Sequence, residues 1–126
     1  MSIYFAVNTP SGFLFNENIP EFDKVLINEG NCYDQATGRF NTSVAGIYEF
    51  SVTFITSDSS SQCLIRKNRV TLVYAITHSD GTWKTASAST YVHLYHDDVI
   101  DLSCGEWDHV DHNASTMFSG GLVHAD

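Results

Sequence analysis

Apolar and polar residues alternate in short segments along most of this 126-residue chain, and this pattern limits the folds open to it. In residues 86–94, one parity is small or apolar apart from Thr90, and the other is polar or aromatic. In residues 47–55, one parity consists of Tyr48, Phe50, Val52 and Phe54. Because successive side chains of a strand point to opposite faces, this period of two predicts half-buried β-strands. Many short strands predict an all-β sandwich or jelly roll, formed by a single domain over residues 1–126.

Turn-forming residues separate the other strand-like segments. Residues 3–7, 69–76, 99–104 and 116–124 each predict a strand. The sequence Ser79-Asp80-Gly81-Thr82 predicts a turn. Asp97-Asp98 predicts a hairpin turn that joins segment 86–94 to segment 99–104.

The charge balance restricts the partners of the chain. Fifteen acidic and six basic residues give a net charge of −9, and the only basic cluster is Arg66, Lys67 and Arg69. Such a chain repels nucleic-acid phosphates and anionic membranes but permits divalent cations. No apolar run approaches the roughly 20 residues that span a bilayer, so membrane insertion is not expected.

Three features of the sequence bear on the cellular location of the protein. Residues Met1 to Val7 show no signal peptide, which leaves a cytoplasmic chain or a mature secreted domain with an added Met. Two acceptor triplets for N-glycosylation, Asn41-Thr42-Ser43 and Asn113-Ala114-Ser115, favour secretion. Three cysteines, Cys32, Cys63 and Cys104, exclude complete internal pairing, which leaves three buried thiols or one disulfide with one free thiol.

A set of aromatic, Gly and Asn residues at fixed spacing resembles the C1q globular domain family. Its members here are Phe22, Asn28, Tyr33, Phe40, Gly46, Tyr48 and Phe50. Near the end of the chain, Phe118-Ser119-Gly120 is similar to the closing strand of that family. The resemblance extends from about Ile3 to Val123, and the chain resembles stalkless invertebrate members of the family, such as those of bivalves. Val52 and Gly121 depart from the pattern, since both usually correspond to aromatic residues.

The resemblance implies a ten-stranded jelly roll of C1q/TNF type that assembles as a homotrimer. It also implies a non-enzymatic recognition module that binds glycans or proteins on cell or microbial surfaces. From the residues themselves, we expect the aromatic members of the set to pack in the core. We expect Gly38 and Gly46 to be turn positions with positive φ, and Asn28 to cap a turn through its side chain.

Residues 108–112 form a candidate metal site. Asp108, His109, Asp111 and His112 supply carboxylate and imidazole donors that suit Zn²⁺, Cu²⁺ or Ni²⁺, although a solvated polar loop is the favoured interpretation of this segment. The family resemblance suggests calcium instead, with Asp98 as one ligand. Lys84 stands where some relatives carry an acidic residue, and its charge opposes that calcium site.

Two tryptophans form the basis of a candidate glycan site. Trp83 and Trp107 fall in predicted loops, with Asp80, Asp108 and Asn113 close in sequence. A ring in a loop either packs or binds, so packing remains the alternative. No nucleophile elbow or His-Glu-x-x-His motif is present, and we predict no catalysis. The sequence predicts a soluble pattern-recognition lectin of innate immunity, and the alternative is an extracellular protein ligand or matrix component that binds divalent metal.

Overall fold

The computed structural model describes residues 1–14, 18–105 and 115–126, and ten strands account for most of them. Several strands are eleven residues long. In chain order the strands are β1 Tyr4–Leu14, β2 Ile19–Glu29, β3 Tyr33–Asp34, β4 Arg39–Asn41, β5 Gly46–Thr56, β6 Ser60–Lys67, β7 Val70–His78, β8 Lys84–Leu94, β9 Val99–Gly105 and β10 Met117–Ala125.

The strands form two five-stranded antiparallel sheets that pack face to face. The first sheet has the order β2-β1-β10-β5-β8, and the second has the order β3-β4-β9-β6-β7. The long central strands show the predicted alternation, since Tyr48, Phe50, Val52 and Phe54 of β5 are at most 1% exposed. The predicted ten-stranded jelly roll of C1q/TNF type is thereby confirmed.

The predicted hairpin at Asp97-Asp98 is wrong. β8 pairs with β5 in the first sheet, whereas β9 lies between β4 and β6 in the second. The segment between Leu94 and Val99 therefore crosses from one sheet to the other. Local sequence indicates a turn, but it does not specify which strand the chain pairs with afterwards.

Aromatic rings from both sheets fill the space between them. Phe5 stacks on Tyr33 with ring centroids 4.9 Å apart and contacts the edge of Phe118 at 5.0 Å. Phe40 meets Phe50 edge-on at 4.9 Å. These rings come from β1, β3, β4, β5 and β10, so the cluster joins the two sheets, as expected for the aromatic residues of the motif set.

The two glycines of the motif set have different roles. Gly38 has φ 69°, which confirms a turn position that favours glycine. Gly46 is the first residue of β5 and lacks a positive φ, so the expectation for it is wrong. Its requirement is steric instead, because a Cβ atom there would collide with the carbonyl oxygen of His124.

One disulfide joins neighbouring strands of the second sheet. Cys63 of β6 and Cys104 of β9 are register partners and are bonded to each other, whereas Cys32 is a buried free thiol. This result selects one disulfide with one free thiol. Desolvation raises the pKa of the Cys32 thiol to about 11, so the thiol stays protonated at neutral pH.

We predict that Cys63→Ala combined with Cys104→Ala lowers the free energy of unfolding by about 2–4 kcal/mol. The bond closes a loop with a sequence separation of 41 residues, so its loss releases conformational entropy in the unfolded chain. Urea denaturation followed by tryptophan fluorescence measures the change. Cys32→Ala is the control, with an expected loss of about 1 kcal/mol, and an equal loss in both variants contradicts the role of the bond.

Candidate functional site

Two candidate residues of the glycan site, Asp80 and Trp83, belong to the β7–β8 turn. This turn lies at the end of the sandwich away from the chain termini. We call this the distal end, and the end near Tyr4 and Ala125 the proximal end. Trp83 is 58% exposed, so its ring does not serve as packing at the base of the loop. Asp80 accepts hydrogen bonds from the amide and hydroxyl of Thr82, and these bonds lower the pKa of its carboxyl group. The predicted turn at residues 79–82 is confirmed, and Trp83 with Asp80 is an alternative candidate glycan site to the cleft described below.

The remaining loop candidates lie outside the described residues. These are Trp107, Asp108, His109, Asp111, His112 and Asn113. Gly105 and Met117, which flank this segment, pair with Gln62 and Thr53 toward the distal end. Among the residues that the structure describes, no three His, Cys, Asp or Glu side chains come together as a metal site.

Asp98 lies at the proximal end, where it organises the turn before β9. Its carboxylate accepts hydrogen bonds from the side chain of Asn68 at 2.9 Å and from the amide of Tyr95 at 2.8 Å. The ammonium of Lys67 lies 3.6 Å away. These donors, led by Asn68, lower the pKa of Asp98. Both carboxylate oxygens are engaged and a cation is already adjacent, which disfavours a calcium ion at Asp98.

A cleft lies at the proximal end of the second sheet. One part has a volume of about 600 Å³, and we call it the amide lobe. Polar side chains of the β2–β3 and β3–β4 segments and of β4 line it, among them Asn31, Asp34, Gln35, Thr37 and Asn41. Within the described part of the chain, the side-chain amides of Asn31 and Asn41 make no hydrogen bond to protein.

The amide lobe is held in place by the core. Tyr33 and Phe40 are register partners and are at most 4% exposed, so the neighbouring residues Asp34 and Asn41 point outward. The Asn28 side chain donates to the carbonyl of Tyr33 at 2.7 Å and accepts from the amides of Cys32 and Tyr33. The expected capping role of Asn28 is therefore confirmed, and it fixes one wall of the cleft.

A second part of the cleft, which we call the arginine lobe, shares Arg39 and Val99 with the first. It has a volume of about 360 Å³, and its other lining residues are Asn68, Arg69 and Asp101. The Asp101 side chain is 3% exposed and accepts two hydrogen bonds from Arg66 at 2.8 and 2.9 Å. Arg39 approaches the same carboxylate at 3.5 Å. A buried carboxylate is tolerated here because guanidinium groups pair with it.

A rigid two-residue turn places Arg69 beside the arginine lobe. Lys67 pairs with Val70, so Asn68 and Arg69 form the whole β6–β7 connection, with φ values of 50° and 69°. Positive φ at both positions is the geometry of a type I′ hairpin, where glycine is favoured at the second position. The Asn68 side chain accepts from the amide of Val99 and donates to Asp98. Arg69 is thus held in a conformation that costs a non-glycine residue about 1–2 kcal/mol.

The cleft was not predicted from the sequence. Arg39 and Asp101 are 62 positions apart, and only the pairing of β4 and β9 brings them together. The sequence places Arg39 directly before the motif residue Phe40 and groups Arg66, Lys67 and Arg69, but nothing local indicates that these residues share one surface.

The sequence matches the C1q domain over residues 4–123. The chain belongs to the C1q domain family. Its domains bind ligands and are not enzymes, and trimeric assembly is typical of them. The chain is accordingly a non-enzymatic member. None of the described residues forms a helix long and apolar enough to cross a membrane.

Relatives and solved structures agree with this assignment. Complement C1q tumor necrosis factor-related protein 5 of Homo sapiens is 34% identical over 111 residues, covering 83% of this chain and 46% of that protein. Complement C1q tumor necrosis factor-related protein 7 of Mus musculus is 31% identical over 113 residues, covering 83% of this chain and 38% of that protein. The C1q-domain chain thus spans less than half the length of these two relatives.

Two solved structures show the same fold at low sequence identity. The globular domain of zebrafish complement 1qA protein has a TM-score of 0.79 at 17% identity and covers 100% of both chains. Murine APRIL at pH 5.0 has a TM-score of 0.77 at 12% identity and covers 98% of this chain and 100% of its own.

We predict that Arg69→Gly raises the free energy of unfolding by about 0.5–1 kcal/mol. Glycine removes the steric cost of positive φ, and its greater freedom in the unfolded chain offsets part of that gain. Urea denaturation measures the change. Arg69→Ala is the matched control and does not stabilise, because alanine keeps the steric cost. Equal stabilisation by both substitutions argues against a strained turn.

We predict that Asp98→Asn destabilises the domain in a pH-dependent way. A carboxyl pKa that is lower in the folded state stabilises the domain fully above its ordinary value of about 3.9, and this stabilisation is lost as the pH falls through the lowered pKa. The difference in unfolding free energy between wild type and variant is therefore largest above about pH 5 and shrinks toward about pH 2. A difference that is constant across this range contradicts the ionised role of Asp98.

Proposed function

We propose that this C1q-domain protein is a secreted, trimeric pattern-recognition lectin that binds microbial glycans through the cleft at the proximal end. The observation that supports this most directly is the amide lobe, a polar cleft lined by the side chains of Asn31, Asp34 and Thr37. Amide and carboxylate groups pair with sugar hydroxyls as both donors and acceptors. The Cys63–Cys104 disulfide supports an oxidising, extracellular location.

The outward face of the first sheet is suited to contact with copies of the same chain. Across this face, Ala6, Ser119, Ser51 and Ser89 follow one another as register partners on β1, β10, β5 and β8. Small side chains leave the face flat, and Tyr4 and Tyr91 border it with 42% and 64% exposure. We propose that three copies pack through this face, which leaves the cleft of the second sheet accessible on each copy.

Three clefts on one trimer increase the strength of binding to a repetitive surface. A single site for a small saccharide is weak, because few polar contacts offset the loss of freedom on binding. Simultaneous binding of linked sites makes the second and third events intramolecular and raises the overall affinity. A microbial surface that repeats one glycan is the target that this arrangement favours.

A second candidate function is binding of a protein ligand through β7, the edge strand of the second sheet. Four apolar side chains on this strand are well exposed: Val70, Leu72, Tyr74 and Ile76 at 66%, 37%, 57% and 45%. An exposed apolar row of this kind is typical of protein contacts. The associated prediction of a divalent metal rests on Asp108, His109, Asp111 and His112, and zinc or copper titration tests it.

We predict selective binding of the bacterially expressed domain to a glycan array, since that host leaves Asn41 unmodified. Asn31→Ala combined with Asn41→Ala reduces binding at least about tenfold, because each substitution removes hydrogen bonds worth roughly 1 kcal/mol. Trp83→Ala at the distal end is the control and retains binding. Loss of binding only with Trp83→Ala moves the site to the distal end, and a blank array for wild type rejects the lectin.

We predict that Ser51→Arg converts the trimer to a monomer. A long charged side chain on the flat face meets the same face of a neighbouring copy and loses hydration there. Sedimentation equilibrium measures the mass. Thr71→Arg on β7 adds the same side chain to the second sheet and keeps the trimer. A monomeric wild type, or trimers of both variants, contradicts this interface.

A further inference from the structure

The described lining of the arginine lobe carries two arginines, Arg39 and Arg69, and one carboxylate, Asp101, in a protein with a net charge of −9. Arg39, Arg66, Lys67 and Arg69 are four of the six basic residues in a chain of net charge −9. They come from β4, β6 and the β6–β7 turn, and the antiparallel register of β4, β9 and β6 places them at one end of one sheet. The concentration of positive charge at one concavity is therefore a product of the fold.

Two carboxylates accompany these four basic residues, since Asp101 pairs with Arg66 and Arg39 and Asp98 lies beside Lys67. Among the described lining residues, Asp101 is the one acidic residue beside Arg39 and Arg69, and Arg66 pairs with it without lining the lobe. Arg66 occupies both oxygens of that carboxylate. Arg39 is more exposed than Arg66, with 25% against 13% of the side chain accessible, and lines both lobes.

We propose that the arginine lobe binds an oxyanion substituent (a carboxylate, sulfate or phosphate group) carried by a saccharide whose hydroxyl groups occupy the adjoining amide lobe. Guanidinium groups match the planar or tetrahedral oxygens of such groups with paired N–H donors. Arg39 and Val99 belong to both lobes, so one ligand reaches the polar and the cationic parts together. This inference rests on the proposed glycan recognition and adds the chemical class of the glycan.

The conformation of the β6–β7 turn agrees with this assignment. Arg69 occupies the turn position that favours glycine, so its side chain is kept despite a backbone cost. Asn68, anchored to Asp98 and Val99, keeps the turn rigid. Because these bonds already hold the backbone of the turn, ligand binding has to order only the side chain of Arg69.

Titration calorimetry with matched saccharide pairs tests the inference on the whole chain. The pairs are galactose with galactose 6-sulfate, glucose with glucuronate, and glucose with glucose 6-phosphate, so the three arms distinguish the three oxyanions. The wild-type domain is expected to bind at least one charged member about tenfold more tightly than its neutral partner at low salt. This preference is expected to weaken as the salt concentration rises, because screening reduces the attraction of the guanidinium groups.

Two variants that act on different elements assign the preference to the lobe. Arg69→Gly in the β6–β7 turn is expected to remain folded and to lose the preference for the charged saccharide. Arg39→Gln, on β4, is expected to have the same effect. Lys84→Gln removes a positive charge from the distal end and is expected to retain it. Equal affinities within every pair, or a preference that survives both arginine substitutions, overturns the inference.

The outcomes separate this inference from the proposed function. Binding of neutral saccharides without any charge preference leaves the lectin intact and removes the oxyanion lobe. Binding of inorganic sulfate that Arg69→Gly abolishes, with no saccharide bound, keeps the oxyanion lobe and removes the lectin.

Discussion

The packing of Tyr33 and Phe40 into the aromatic core determines where the functional surface of this domain lies. Both rings contact Phe5, which joins the short strands β3 and β4 to the first sheet. Since side chains alternate along a strand, burial of these two rings turns Asp34, Arg39 and Asn41 outward. The strand residues of the cleft are therefore positioned by the same contacts that hold the sandwich together.

Hydrogen bonds and ion pairs then complete the cleft at its edges. Asn28 closes the wall before β3, and Asp98 together with Asn68 fixes the turn that carries Arg69. Asp101 anchors Arg66 and Arg39 from beneath. These polar groups come from segments far apart in sequence, so the cleft exists only when both edges of the second sheet are in place.

The sequence predicted what depends on neighbours along the chain. Alternation in β5 and β8 and the spacing of the aromatic motif predicted the strands, the core and the C1q family, because each reflects burial of every second residue. Strand pairing was less accessible, as the wrong hairpin at Asp97-Asp98 shows. The cleft could not be predicted, since the contact of Arg39 with Asp101 requires the register of β4 against β9. A tryptophan in a predicted loop suggests a binding site from the sequence alone, whereas a single arginine or asparagine on a strand does not.

Mapping amide chemical shifts during titration with a sulfated or uronic-acid-containing saccharide tests the central claim most directly, namely that ligands bind in the proximal cleft. We expect the perturbed amides to cluster at Asn31, Asp34, Asn41, Asn68 and Arg69, with the signals around Trp83 and Asp80 unchanged. Perturbations confined to the distal end, or spread along the apolar face of β7, contradict the account and place recognition on another surface of the same fold.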